Sequence, residues 1–212
     1  MPREVDVDQK RASLIAATWR VVREVGFAGA TLRRIASEAG CTTGALTKYF
    51  KSREVLFLEA IRVANQGARA RLQAAAQSTS HPLKRLETIL LAALPLDATR
   101  LGEWQTRLSF FTYTLNNQAL RAENARGFAG WRDFLESQLP PIPQPARRQE
   151  AEALTSLIDG LGMRLALRSD AASDADIAVT TVRHHLRELA RRHPALRPVS
   201  GPTKRRAQQT QS

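Results

Sequence analysis

The groups in this chain that are equipped for chemistry are hydroxyls and cations, not a nucleophile with its base. Its 212 residues include one cysteine and four histidines. His184 and His185 are adjacent, so on a helix they point in different directions, whereas a metal pair prefers i,i+4 spacing. There is no His-Glu-x-x-His, phosphate-cradling glycine loop, Gly-x-Ser-x-Gly or Cys-x-x-Cys. We therefore expect no cofactor, no metal and no catalytic activity. What stands out is the run from Thr31 to Phe50, TLRRIASEAGCTTGALTKYF. Its small, hydroxyl-bearing and basic side chains are suited to hydrogen-bonding base edges and phosphate oxygens.

The elements that must position those groups are short helices. Leu32, Ile35, Ala36 and Ala39 fall at i, i+3, i+4 and i+7, one apolar stripe of a helix. Gly40 breaks the pattern, because glycine reaches a left-handed backbone without steric cost. Thr42 is a good N-cap for a second helix, whose Ala45, Leu46, Tyr49 and Phe50 form its apolar side. The small polar start of that helix is left free. Two short helices joined by a glycine turn are how a helix-turn-helix enters the major groove.

The run Ile35-Ala36-x-x-Ala39-Gly40-Cys41-Thr42-x-Gly44-x-Leu46-x-x-Tyr49-Phe50, followed by Lys51-Ser52-Arg53-Glu54-x-Leu56, resembles the DNA-binding signature of the TetR family of bacterial repressors. Three positions depart from it. Cys41 stands where the family usually has valine, Thr47 where it has a phosphate-contacting tyrosine, and Tyr49 where histidine is commoner. With the motif so placed, Thr42, Thr43, Ala45 and Lys48 are expected at the groove and Thr31, Tyr49 and Lys51 on the DNA backbone. Arg33 and Thr47 complete the expected DNA-binding set. Cys41 has two readings, a small buried side chain or a thiol near a helix start.

Net charge is +12 and is unevenly distributed. Residues 1–53 hold ten Lys or Arg against five acids, and residues 191–212 hold six Arg or Lys and no acid, leaving +1 for 54–190. Basic ends suit a polyanionic duplex, and a neutral middle suits a small-molecule pocket or a protein interface. The single cysteine fits a reducing compartment. With no apolar signal segment and no run long enough to span a bilayer, we expect a cytoplasmic protein without membrane contact.

The rest of the chain reads as all-α. A first helix is expected over about 8–25, ended by Gly26, with Leu14, Thr18, Val21, Val22 and Val25 on its inner face; Lys10 and Arg11 lie near phosphate or on a solvated face. Ser52 caps a long helix to about Gln77, which joins the DNA-binding part to a second domain. Further helices are expected over about 83–94, 99–116 and 118–139, then a stiff proline-rich linker at 140–145, and last helices over about 146–168 and 174–192. Gly160 and Gly162 inside a helix suggest that another backbone approaches closely there. The domain reading is 1–53 for DNA binding, 54–192 for ligand binding and dimerisation, and 193–212 as a disordered basic tail.

The run Ile158-Asp159-Gly160-Leu161 with Arg164 resembles the C-terminal region of the betaine-pathway (BetI-type) repressors, and that resemblance implies dimerisation through the last two helices. Ile158, Leu161, Leu165, Val182 and Leu186 are the residues expected at the interface. Trp104, Leu108, Phe111, Tyr113 and Trp131 either line an inducer cavity or are core. Three functions remain: a homodimeric, ligand-responsive repressor on a palindromic operator, an architectural or nonspecific DNA-binding protein, or an enzyme with an appended DNA-binding module. The first accounts for motif, charge and neutral domain together. The second would need basic charge throughout, and the third lacks a catalytic cluster.

Overall fold

The computed structural model describes residues 2–115, 117–140, 142–167 and 171–193. Among them are nine helices and no strand. They are α1 (Pro2–Gly29), α2 (Leu32–Glu38), α3 (Thr43–Thr47), α4 (Arg53–Gln77), α5 (Pro82–Ala93), α6 (Ala98–Thr114), α7 (Gln118–Gln138), α8 (Ala146–Leu167) and α9 (Ala171–Arg192). Beyond His193, the expected tail lies outside the described residues.

Helix starts are set by side chains that accept from orphan backbone N–H groups, each contributing about 1 kcal/mol. Thr31, Thr42, Ser52, Asp97 and Asn117 cap α2, α3, α4, α6 and α7. His81 caps α5 through its Nδ1, with Pro82 at the first helical position, where its missing N–H costs nothing. Gly26, at φ 69° and ψ 171°, is non-helical and ends the first helical run of α1, and a separate short turn follows it to Gly29.

Two cores hold the fold. In the first, Leu14, Val22, Phe27, Ile35, Leu46, Phe50, Leu56 and Phe57 are buried together with Ala60 and Ile61 of α4, Phe110 of α6 and Leu120 of α7. The packing around α1–α3 thus reaches past residue 53 and draws on the following helices. The second core joins Leu86, Ile89 and Leu90 of α5 to Trp104, Leu135, Leu154, Ile158, Leu161, Val182, Leu186 and Leu189. Helix α4 serves both: its first half is in the first core, and Leu72, Ala75 and Ala76 pack against the second.

Polar links fasten α4 on both sides. Arg62 donates to Glu123 of α7 from Nε at 3.2 Å and Nη2 at 3.1 Å. Arg126 reaches the same carboxylate at 2.6 Å. Near the start of α4, Arg53 donates to the Tyr113 hydroxyl of α6 at 2.8 Å.

Gly162 is buried, but not for a passing backbone. A Cβ there would lie inside the indole ring of Trp104, while at Gly160 it would meet nothing within 4 Å. The two glycines therefore differ, and only Gly162 makes room for a neighbour.

Candidate nucleic-acid interface

The link between α2 and α3 is built by backbone geometry. Gly40 has φ 64°, Cys41 N–H donates to Ala36 O at 2.9 Å, and Gly40 N–H donates to Ser37 O at 3.1 Å. This left-handed helix end satisfies carbonyls that would otherwise be orphaned. Thr42 Oγ1 then accepts from Ala45 N–H at 3.1 Å, opening α3 about a turn later. Leu46 and Phe50 are fully buried against Ile35 and Ala36. Their burial fixes which face of α3 looks outward.

Thr42, Thr43, Thr47 and Lys48 are exposed and Ala45 is half-buried. Thr31 and Arg33 at the start of α2, and Lys51 in the turn before α4, are also exposed. Thr31 Oγ1 accepts from Arg34 N–H at 3.3 Å, and Thr47 Oγ1 donates to Gly44 O at 3.1 Å. Tyr49 is half-buried, and its carbonyl accepts from Arg11 at 3.1 Å. Arg11 is half-buried, so it does not lie on a fully solvated face. Its guanidinium lies 4.6 Å from the Phe50 ring centroid and 3.7 Å from Glu59, bracing the end of α3 from α1. Cationic character on an aromatic face could have been suspected from the sequence, but only the fold brings residues 11 and 50 together.

Cys41 is half-buried beside this core. Among the described residues no group of three His, Cys, Asp or Glu is placed to hold a metal, and no helix is long and apolar enough to cross a membrane.

The five aromatic and aliphatic residues expected around an inducer divide between the two cores. Trp104 is buried in the second core, lies on Gly162 and donates from Nε1 to Ala93 O at 2.9 Å. Leu108 and Trp131 pack on that same core, Trp131 stacked on Phe134 at 5.9 Å. Phe111 and Tyr113 belong to the first core. Tyr113 stacks on Phe27 of α1 at 5.8 Å.

The interface residues also need correction. Ile158, Leu161, Leu165, Val182 and Leu186 are all 8% exposed or less and face the protomer's own core. A stripe of leucines at helical spacing marks a buried face without saying who buries it. The apolar side chains that α8 and α9 leave in solvent are Met163, Leu167 and Ile177, at 45%, 71% and 50% exposure.

An all-helical chain with an α2–turn–α3 unit, a capped and outward-facing α3 and a long helix joining two cores has the architecture of a DNA-binding regulator. The profile of the N-terminal region of tetR-family bacterial regulatory proteins matches residues 14–60, and that of the C-terminal region of BetI-type transcriptional repressors matches residues 82–209. The chain belongs to the TetR family of transcriptional regulators. It is 30% identical to the HTH-type transcriptional regulator PksA of Bacillus subtilis (strain 168), over 92% of this chain and all of that protein. It is 32% identical to the HTH-type transcriptional regulator BetI of Serratia proteamaculans (strain 568), over 81% of this chain and 89% of that one. The crystal structure of the multidrug binding protein EbrR complexed with malachite green superposes with a TM-score of 0.65 at 28% identity, covering 82% of this chain and 96% of that one.

Proposed function

We propose that this regulator is a homodimeric repressor that reads a two-fold symmetric operator with paired α3 helices and leaves it when a small molecule binds. The observation that carries the reading is the exposed polar face of α3. Thr42, Thr43, Thr47 and Lys48 stand outward while Leu46 and Phe50 anchor the helix behind them. Thr43, Ala45 and Lys48 reach base edges; Thr31, Arg33, Tyr49 and Lys51 hold the phosphates on either side. Base contacts specify sequence, and phosphate contacts set register.

One such helix reads only a few base pairs, so affinity and specificity require two half-sites about one helical turn, or a multiple, apart. The two-fold partner supplies the second. Met163, Leu167 and Ile177 are the apolar surface that α8 and α9 offer to that partner, in an isologous pairing where the same patch serves both copies. Residues 1–53 carry the DNA contacts and 54–192 the dimer and the response.

Ligand response follows the two-core construction. Helix α4 begins at the DNA-binding part and ends in the second core, so a ligand that binds one arrangement of the helices more tightly shifts the separation of the paired α3 helices. A coupling of about 1–3 kcal/mol gives roughly 5–150-fold release. The likeness to a multidrug binding protein supports an organic small molecule as effector. Footprinting the purified protein on the DNA flanking its own gene tests the reading. One protected, two-fold symmetric site is expected; uniform protection along the fragment would overturn it.

A further inference from the structure

A cavity of about 520 Å³ lies where the DNA-binding part meets α6, lined by Gly26, Phe27, Ala28, Ser109, Thr112, Tyr113 and Asn117. It lies beside the α1 kink. Gly26 turns the chain at φ 69° next to α6, where a Cβ on it would be 3.7 Å from Ser109 Oγ. The volume is that of an ordinary small-molecule site.

Its chemistry is specific. Its aromatic face is the half-buried Tyr113 ring, backed by the buried Phe27 ring stacked on it at 22° with centroids 5.8 Å apart. The Tyr113 oxygen already accepts from Arg53 at 2.8 Å, so its O–H remains to be donated. Asn117 Oδ1 is used in accepting from Leu120 N–H at 3.1 Å, which leaves the amide NH₂ as a donor. The Thr112 hydroxyl donates to Ser109 O at 2.8 Å and offers only lone pairs. The lining contains no Asp, Glu, Lys, Arg or His, so a cation would lose its hydration without gaining a counter-charge, and the neighbouring Arg53 is already engaged with the Tyr113 oxygen.

We propose that this cleft is an effector site for a small, planar, uncharged molecule bearing hydrogen-bond acceptors, held between the kink of α1 and the end of α6. The proposal rests on the reading of the chain as ligand-responsive and places the response at the joint between the two parts. The planar ring system lies against the Tyr113 ring, and its oxygens accept from the Tyr113 hydroxyl and the Asn117 amide. A ligand here bridges α1 and α6 directly. It therefore fixes the angle of the DNA-binding part without having to transmit a shift through the second core.

The probe is 7-hydroxycoumarin at mildly acidic pH, where its phenol is protonated and the molecule uncharged; it is planar, carries carbonyl, ring and phenol oxygens, and reports its own binding by fluorescence polarisation. Full-chain protein should bind it saturably. Thr112→Trp and Ala28→Phe, at two exposed rim positions, fill the cleft from opposite sides, and each should weaken binding at least tenfold while circular dichroism and melting stay those of the wild type. No saturable binding by the wild type at millimolar protein would overturn the proposal, as would wild-type affinity in both folded variants. Operator titrations separate this from the broader reading. If coumarin binding is lost in the variants and the wild type's operator affinity falls with coumarin, both stand. If malachite green releases operator equally from wild type and variants while coumarin does nothing, the regulator is ligand-responsive and the cleft is not its effector site.

Discussion

Arg53 Nη2 donates to the Tyr113 hydroxyl at 2.8 Å, and its guanidinium carbon lies 5.6 Å from the Tyr113 ring centroid and 5.8 Å from that of Phe57. The first residue of α4 is thereby clamped to the last turn of α6, and the clamp sits beside Phe27 of α1. Three helices from the two halves of the molecule meet at one cation. Arg53→Met keeps the apolar stem but removes the donor and the charge. It should cost about 1–2 kcal/mol, since a hydrogen bond from a charged donor exceeds a neutral one. Urea denaturation measures it; an unchanged midpoint would mean that the clamp is not holding the joint.

The Trp104 indole lies across Gly162, and its Nε1–H is satisfied by Ala93 O at the end of α5. One side chain therefore fixes α5, α6 and α8 together. Gly162→Ala should destabilise the protein by about 1–3 kcal/mol through overpacking, although alanine is the better helix former. At Gly160, where a Cβ meets open space, the same change should stabilise by up to about 1 kcal/mol. Thermal melting of the two variants decides: shifts of the same sign would contradict this packing.

Two carboxylates respond oppositely to pH. Burial pushes the Glu123 carboxyl up, but hydrogen bonds and charge from Arg126 and Arg62 outweigh it and hold it below the usual carboxylate range. Its stabilisation is present above the unfolded-state pKa and is lost as pH falls through the folded one. Asp159 is raised, by burial first, against the pull of Arg107 3.9 Å away. Its favourable contribution is present at acid pH and is lost as pH rises through its folded pKa. Relative to the wild type, the melting temperature of Glu123→Gln should fall as pH rises from about 3 to 7, and that of Asp159→Asn should rise. Differences that stay constant from pH 3 to pH 7 would contradict the assignment.

The dimer surface is tested by separating exposed from buried apolar residues on α8 and α9. Met163→Asp with Ile177→Asp should give a folded monomer in sedimentation, because both positions are in solvent within the protomer. Leu186→Asp, at 5% exposure, should instead unfold the chain by burying an unpaired charge. A double variant that remains dimeric would move the interface elsewhere.

The turn between α2 and α3 was legible because its chemistry is local. Gly40 needs a left-handed backbone and Thr42 needs an N–H three residues on, and both requirements are met within a few residues of sequence. The break at Gly26 was equally local, since glycine reaches a left-handed backbone without steric cost, whereas the short helical turn after it depends on what that turn packs against. Gly162 announced a close approach, but that the neighbour is the Trp104 ring, from a helix some sixty residues earlier, is a tertiary fact. Periodicity found the buried stripes of α8 and α9 and could not say whether a partner or the same protomer covers them. Phe111 and Tyr113 were grouped with Trp104 by proximity in sequence. They are 7 and 9 positions along α6, far enough for one helix to present different ends to different cores.

The central claim is that the exposed face of α3 reads a sequence while Lys51 holds the backbone, and anisotropy titration of operator and unrelated DNA across a salt series tests it. Lys51→Ala should weaken binding to both DNAs alike and reduce the salt slope by about 1, as for the loss of one phosphate contact. Thr43→Ala should leave that slope unchanged and reduce the preference for operator by about 1–3 kcal/mol. If both variants bind both DNAs as the wild type does, at every salt concentration, α3 and the turn after it are not the DNA-reading surface.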